Sequence, residues 1–159
     1  MAYGDDVNKQ EGITREPEIA QKVIEFLISK GYKVTLKKSS FVENTKQKID
    51  YFLIFDETTP FLNQTIIPID IKARNSYTRF DKNGENTLEQ SKSKYIITNL
   101  KGSDEYTWVN VKKLKECIEI HEPDMFLSND KKSKYFWLNT YVNEHRDFFG
   151  KSVTTYTFK

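Results

Sequence analysis

An α/β fold with a mixed central sheet and helices on both faces is what this sequence predicts, and three observations carry it. Two segments of strand length, residues 49–55 and 66–72, are apolar on both alternating sides, with charge only at their ends. Strands of that kind belong in a sheet covered on both faces. Before them, Ile19, Val23, Phe26 and Leu27 recur at helical spacing, and after them Val111, Leu114 and Ile118 do the same.

Composition sets the outer bounds. The chain has 159 residues, with 11 Phe, 9 Tyr and 2 Trp to build a core, and its length suits one domain. Its 25 basic and 23 acidic side chains leave a net charge of +2. That excludes a histone-like polycation and an acidic tail, so any nucleic-acid contact must run through a local patch. The single Cys117 excludes an internal disulfide and a cysteine zinc site. No apolar run approaches the ~18 residues of a membrane span. Asp5 and Asp6 stand where a signal peptide would need apolar residues. A soluble, cytoplasmic protein of a reducing compartment is expected, with no membrane partner.

The elements follow in order. Residues 1–15, with Gly4 and Gly12, read as a loose leader. Thr14, Glu16, Pro17 and Glu18 mark a helix start, with proline and acids in the first turn. Gly31 ends that helix, and residues 32–38 alternate as a half-exposed strand. A short polar loop leads to the strand at 49–55, and a loop with Pro60 and Asn63 leads to the strand at 66–72. The stretch 73–94 is polar and poorly periodic, with a short helix expected over 87–94. Strands are expected at 95–100 and 106–109, then a helix capped by Asn110, with Pro123 beyond its end. Residues 135–142 read as a final aromatic strand, and the last ten residues carry too little pattern to place.

One constellation breaks the local rule. Asp70 and Lys72 lie in Ile66-Ile67-Pro68-Ile69-Asp70-Ile71-Lys72, among the most apolar stretches of the chain. Alternation puts Asp70 and Lys72 on one side of the strand and Ile69 and Ile71 on the other. Burying a carboxylate costs several kcal/mol unless it is paired or bound to metal. Asp50 poses the same problem at the front of Tyr51-Phe52-Leu53-Ile54-Phe55. If the two strands are neighbours, both acids and the lysine converge. Two carboxylates with the backbone carbonyl of Ile71 make a hard oxygen site suited to Mg²⁺ or Mn²⁺. Such an ion holds a phosphodiester oxygen and offsets transition-state charge, and Lys72 is placed to orient a water. Glu18, in the first turn of the preceding helix, could add an acidic ligand, with Glu25 as the competing choice on that helix.

These residues resemble the PD-(D/E)XK nuclease superfamily, whose pattern is a helix with Glu, a strand with Asp, and then an acid-x-Lys strand. Here the matching positions are Glu18, Asp50 and Asp70-Ile71-Lys72, with nineteen residues between the two aspartates. The likeness covers about residues 16–110, leaving 111–159 as a C-terminal elaboration. It departs at Ile49, where proline often precedes the first Asp, and at Asp70, where Glu is common. The resemblance implies a restriction-endonuclease-like core and a Mg²⁺-dependent endonuclease acting on DNA, with Asp50, Asp70, Lys72 and Glu18 as catalytic residues. Small members of the superfamily resemble junction resolvases, repair nickases or phage and mobile-element nucleases, frequently as homodimers.

Arg74, Arg79, Lys82, Lys92 and Lys94 follow the constellation, interleaved with Tyr77 and Phe80, a mixture suited to phosphates and unstacked bases. A solvated loop accounts for the same residues. Gln90 is either a polar helper to the site or a surface residue. Lys131, Lys132 and Lys134 precede Tyr135-Phe136-Trp137 as a basic turn before a core strand, and His121 and His145 lack metal-ligand spacing. Two other classes stay open: a nucleic-acid-binding module of the same fold that does not cut, and an interaction protein in which the acids and lysine are surface pairs.

Overall fold

The structure, a computed structural model, describes residues 3–56, 64–73, 77–79, 88, 91–100, 102–123, 126–127 and 134–157; of 3–14, 77–79, 126–127 and 134–135 only the backbone is described. Helix α1 (Tyr3–Ser29) leads into β1 (Val34–Lys38), a short α2 (Phe41–Lys46), β2 (Tyr51–Phe55) and β3 (Ile66–Lys72). Then come β4 (Tyr77–Arg79), β5 (Tyr95–Thr98), β6 (Glu105–Asn110) and α3 (Val111–Ile120). The chain continues through β7 (Phe126–Leu127), β8 (Lys134–Trp137), α4 (Leu138–Glu144), α5 (Arg146–Phe149) and β9 (Val153–Thr157). Among the described residues no helix is long and apolar enough to cross a membrane.

Six strands form the main sheet in the order β1-β2-β3-β5-β6-β9. β1, β2 and β3 are an antiparallel meander, and β5 then pairs with β3 in parallel, Asp70 beside Ile96 and Lys72 beside Thr98. A parallel neighbour needs a crossover of a dozen or more residues, which is what the aperiodic stretch 73–94 supplies. β4 leaves that stretch to join a small second sheet, β4-β8-β7.

The two helical stripes cover the two faces. Ile19, Val23 and Leu27 of α1 pack with Leu53, Ile67, Ile69, Ile71, Ile97 and Trp108. On the other face Val111, Leu114 and Ile118 of α3 pack with Ile96, Val109, Phe136, Leu138, Tyr141 and Phe149. Each fully buried aliphatic or aromatic side chain contributes about 1.5–3 kcal/mol, so these clusters hold the sheet in place. Asn110 caps α3 as expected, its Oδ1 accepting from the Lys113 N–H at 2.9 Å.

Four expectations are corrected. Residues 3–15 are helical rather than a loose leader, and Pro17 lies inside α1 instead of at its start. Proline removes a helical donor; here the adjoining turn is tied from outside, because Arg15 donates to the Ala73 carbonyl and to Asn99 Oδ1. The polar loop before β2 contains α2, set by Ser40 and Glu43, each side chain bonding the other's backbone N–H. Residues 135–142 divide: the strand stops at Trp137, and Leu138, Tyr141 and Val142 turn one helical face into the core. Over 87–94, the Ser91 N–H donates to the Leu88 carbonyl at 3.0 Å and 91–93 are irregular; residues 87, 89 and 90 lie outside the described ones. The C-terminal segment that carried too little pattern is β9, paired along β6.

Candidate active site

β2 and β3 pair as far as Tyr51 opposite Ile69, and Asp50 and Asp70 are the residues just beyond that last pair, one on each side of it. Both are buried, each 8% exposed. Asp50 sits just outside the strand, where its N–H donates to the Ile69 carbonyl at 2.9 Å and its carbonyl accepts from the Ser39 N–H at 3.1 Å. Its carboxyl is gripped twice. Oδ2 accepts from the Ile71 N–H at 2.7 Å, and Oδ1 accepts from Asn44 Nδ2 at 2.8 Å. Ile71 therefore meets the cluster through its N–H, while its side chain lies in the core beneath α1.

Lys72 follows Asp70 on the same side of β3, its Nζ 3.6 Å from Asp70 Oδ2. The Asp70 carboxylate, and beyond it Asp50 and Glu16, raise the lysine's pKa against the opposing effect of burial, so it stays an ammonium. Burial pushes the Asp50 carboxyl well above the carboxylate range, and the neighbouring Asp70 charge and a hydrogen bond to Asp70 add to the rise; the Ile71 N–H opposes it. Glu16 of α1 faces this end of the sheet. Burial, and then repulsion from Asp70, lift its carboxyl to about 7, against the pull of Lys72 and Lys38.

The helix acid is thus Glu16, two residues before the expected one. Two positions along a helix are roughly 200° apart around its axis, so Glu16 and Glu18 face nearly opposite ways. Glu18 is exposed and its charge is felt at Tyr106 of β6, away from the two aspartates. Glu25 is exposed as well, its carboxylate 3.8 Å from Lys22 Nζ. A signal for Glu16 exists in the sequence: it precedes Ile19, Ala20 and Val23 by three, four and seven residues, the spacing of the buried face. Asn44, which holds Asp50, has no such signal, because α2 has no buried side chain.

Of the expected basic contacts, Lys92 is exposed, and its backbone N–H donates to the Gln47 carbonyl at 2.8 Å, which brings it to the chain leading into Asp50. Lys94 is half-buried and donates from Nζ to Gln64 Oε1. Arg74, Phe80, Lys82, Gln90, Lys131 and Lys132 lie outside the described residues, as do the side chains of Tyr77, Arg79 and Lys134. His121 and His145 stand with ring centres 5.2 Å apart at the ends of α3 and α4. Tyr141 donates to the His121 carbonyl at 2.6 Å, and burial, with a hydrogen bond to Cys117, raises its phenol.

Among the described residues no three His, Cys, Asp or Glu side chains form a group that would hold a metal ion. The donor set still fits Mg²⁺ or Mn²⁺. Mg²⁺ is bound through one or two carboxylates, with waters and substrate phosphates completing its shell. Asp50 and Asp70 supply two hard carboxylates side by side, and with Glu16 they outnumber Lys72 within the cluster and Lys38 at its rim. No protein-family model, no curated protein and no solved structure matches the chain.

Proposed function

We propose that this chain is a divalent-metal-dependent nuclease that hydrolyses phosphodiester bonds, with DNA as its nucleic acid. One observation carries the proposal: two buried aspartates side by side where β2 and β3 stop pairing, with a lysine two residues after the second and a glutamate facing them from α1. An antiparallel meander followed by a parallel strand brings Asp50 and Asp70-Ile71-Lys72 to one end of the sheet, which supports the reading.

The residues divide the chemistry among them. A cation held by Asp50 and Asp70 would supply positive charge to a phosphodiester oxygen and to the charge that develops as the ester bond breaks. Asn44 and the Ile71 N–H fix the Asp50 carboxyl so that it needs no reorganisation. The Lys72 ammonium orients the attacking water and stabilises the charge gathering on phosphate oxygens. Glu16, lifted to about 7, can take the proton that water loses at neutral pH. Exposed Lys92 beside this approach offers a phosphate contact.

A second reading, a module that binds nucleic acid without cutting, is favoured by the double grip on Asp50, whose two oxygens already accept protein donors. Calorimetric titration with Mn²⁺, run beside cleavage assays on single-stranded, duplex and branched DNA, separates the two. Binding of Mn²⁺ with cleavage supports the nuclease; DNA binding without cleavage under any divalent ion replaces it with the module. Neither activity leaves an interaction protein.

A further inference from the structure

We propose that Phe41, at the start of α2, is a stacking wedge for an unpaired nucleobase, which makes single-stranded or locally opened nucleic acid the substrate class. This rests on the nuclease reading and deepens it. Phe41 is 82% exposed and its neighbour Val42 is 58% exposed. Nothing in the core requires them there, because α2 has no buried side chain. The helix is nonetheless fixed. Ser40 and Glu43 cap it reciprocally, and Asn44 ties it to Asp50 Oδ1 at 2.8 Å. Phe41 and Asn44 are three residues apart, about 4.5 Å along the helix axis, so the exposed ring is carried within one turn of the site.

The charge on and beside α2 identifies the occupant of the ring. Lys37, Lys38, Lys46 and Lys92 are all exposed. Lys37 lies close enough to the α2 residue Glu43 to help lower its pKa, after the hydrogen bonds from Ser40. Lys92 bonds through its backbone to Gln47 at the helix's other end. An exposed aromatic ring on a short helix flanked by lysines suits a polyanion whose bases present flat faces. A second copy of this chain would bring the same lysines towards themselves across a two-fold interface, which like charges oppose.

The test measures binding of a fluorescein-labelled single-stranded oligonucleotide by anisotropy, in an Asp70→Asn background so that cleavage does not intervene. Phe41→Ala should weaken binding about tenfold, Phe41→Leu should do nearly the same, and Phe41→Trp should restore it, the pattern of base stacking. Circular dichroism of these surface variants should match the parent. Equal affinity for Phe41→Ala and the parent overturns the wedge. So does sedimentation showing that Phe41→Ala converts a dimer to a monomer, because a second copy then covers the ring. Wild-type protein with Mn²⁺ tests the underlying reading separately. If it neither binds nor cuts the oligonucleotide but cuts duplex or branched DNA, the wedge falls and the nuclease reading stands. If it cuts none of the three, the nuclease reading falls and the wedge with it. If it cuts the oligonucleotide while Phe41→Ala leaves affinity unchanged, only the wedge falls.

Discussion

Two buried polar clusters stand at the ends of the central strands, and they are built on opposite terms. In one, Asn99 is 3% exposed and has its partners: Nδ2 donates to the Ser103 and Glu105 carbonyls at 2.9 Å each, and Oδ1 accepts from Arg15. Arg15 also donates to the Ala73 carbonyl. In the other, Asp50, Asp70 and Glu16 gather around Lys72, with burial and mutual repulsion driving two of the acids towards their neutral forms. A satisfied network ties α1 to the ends of β3 and β5 and has no need of a ligand. A cluster in which burial and repulsion push two acids towards neutrality would be eased by a cation that lets them ionise. On the proposed reading, the first cluster serves the fold and the second the reaction.

The largest effects should come from changing the charge of the second cluster. Asp70→Asn removes one carboxylate of the pair and should lower metal-dependent cleavage by about a thousandfold. The melting temperature without metal should hold or rise, since the repulsion on Asp50 is gone. Activity and melting are read on the same preparation; retained activity refutes the site, and loss of both makes Asp70 structural. Lys72→Ala should lower cleavage on the order of a hundredfold while Mn²⁺ affinity holds or increases, because a cation beside the ion is lost. Lys72→Arg should recover little, as a planar guanidinium does not place its charge as an ammonium does. Wild-type rates in Lys72→Ala would make the lysine a bystander.

The first cluster should respond in stability alone. Asn99→Ala takes one partner each from the Ser103 and Glu105 carbonyls and leaves Arg15 only the Ala73 carbonyl among the described residues, and a buried polar group left unsatisfied costs about 1–3 kcal/mol. Urea unfolding should show that loss with Mn²⁺ affinity unchanged at temperatures where the variant is folded. A change in Mn²⁺ affinity of the folded variant would join the clusters into one unit.

How much of this was legible in the chain follows from the same distinction. Asp50, Asp70 and Lys72 announced themselves because charge inside an apolar strand demands an explanation, and the alternation of residues 66–72 set the sidedness. β1, β2, β3, β5 and α3 were legible from apolar pattern and from the Asn110 cap. Glu16 was hidden by Pro17, which reads as a helix start and so draws the eye to Glu18, whereas Arg15 anchors the turn before the proline by contacts no local pattern contains. The helix over 138–144 was masked by the aromatic run before it; Leu138, Tyr141 and Val142 are helical in spacing, but strand propensity of Tyr135-Phe136-Trp137 carries past its end. For α2 the capping pair Ser40 and Glu43 was present in the sequence, yet with no apolar face to bury, periodicity could not flag it.

The smallest effect is the one that sharpens the comparison most, because it reads the push towards neutrality directly. Glu16 ordinarily titrates at 4.5 and is raised to about 7 in the folded chain. A carboxyl with a raised folded pKa binds its proton more tightly when folded, so its contribution is fully present below the unfolded value and is lost as pH rises through the folded one. Without metal, stability should therefore decline between about pH 4.5 and pH 7, and the raised Asp50 acts with the same sign. Glu16 is only half-buried, and with solvent screening its share should be on the order of 1 kcal/mol. Denaturant midpoints taken across that range should slope downwards in wild type, and Glu16→Gln should flatten the slope. Glu18→Gln, a change at an exposed position, should leave it intact, and so should changes in the Arg15–Asn99 network. Saturating Mn²⁺ should reverse the trend, because the ion competes with the protons that otherwise ease the cluster, and its stabilisation grows as pH rises. A flat profile in wild type, or one that Glu18→Gln flattens as well as Glu16→Gln does, would mean that the two acids are not distinguished by the fold and that the push towards neutrality at this end of the sheet is absent.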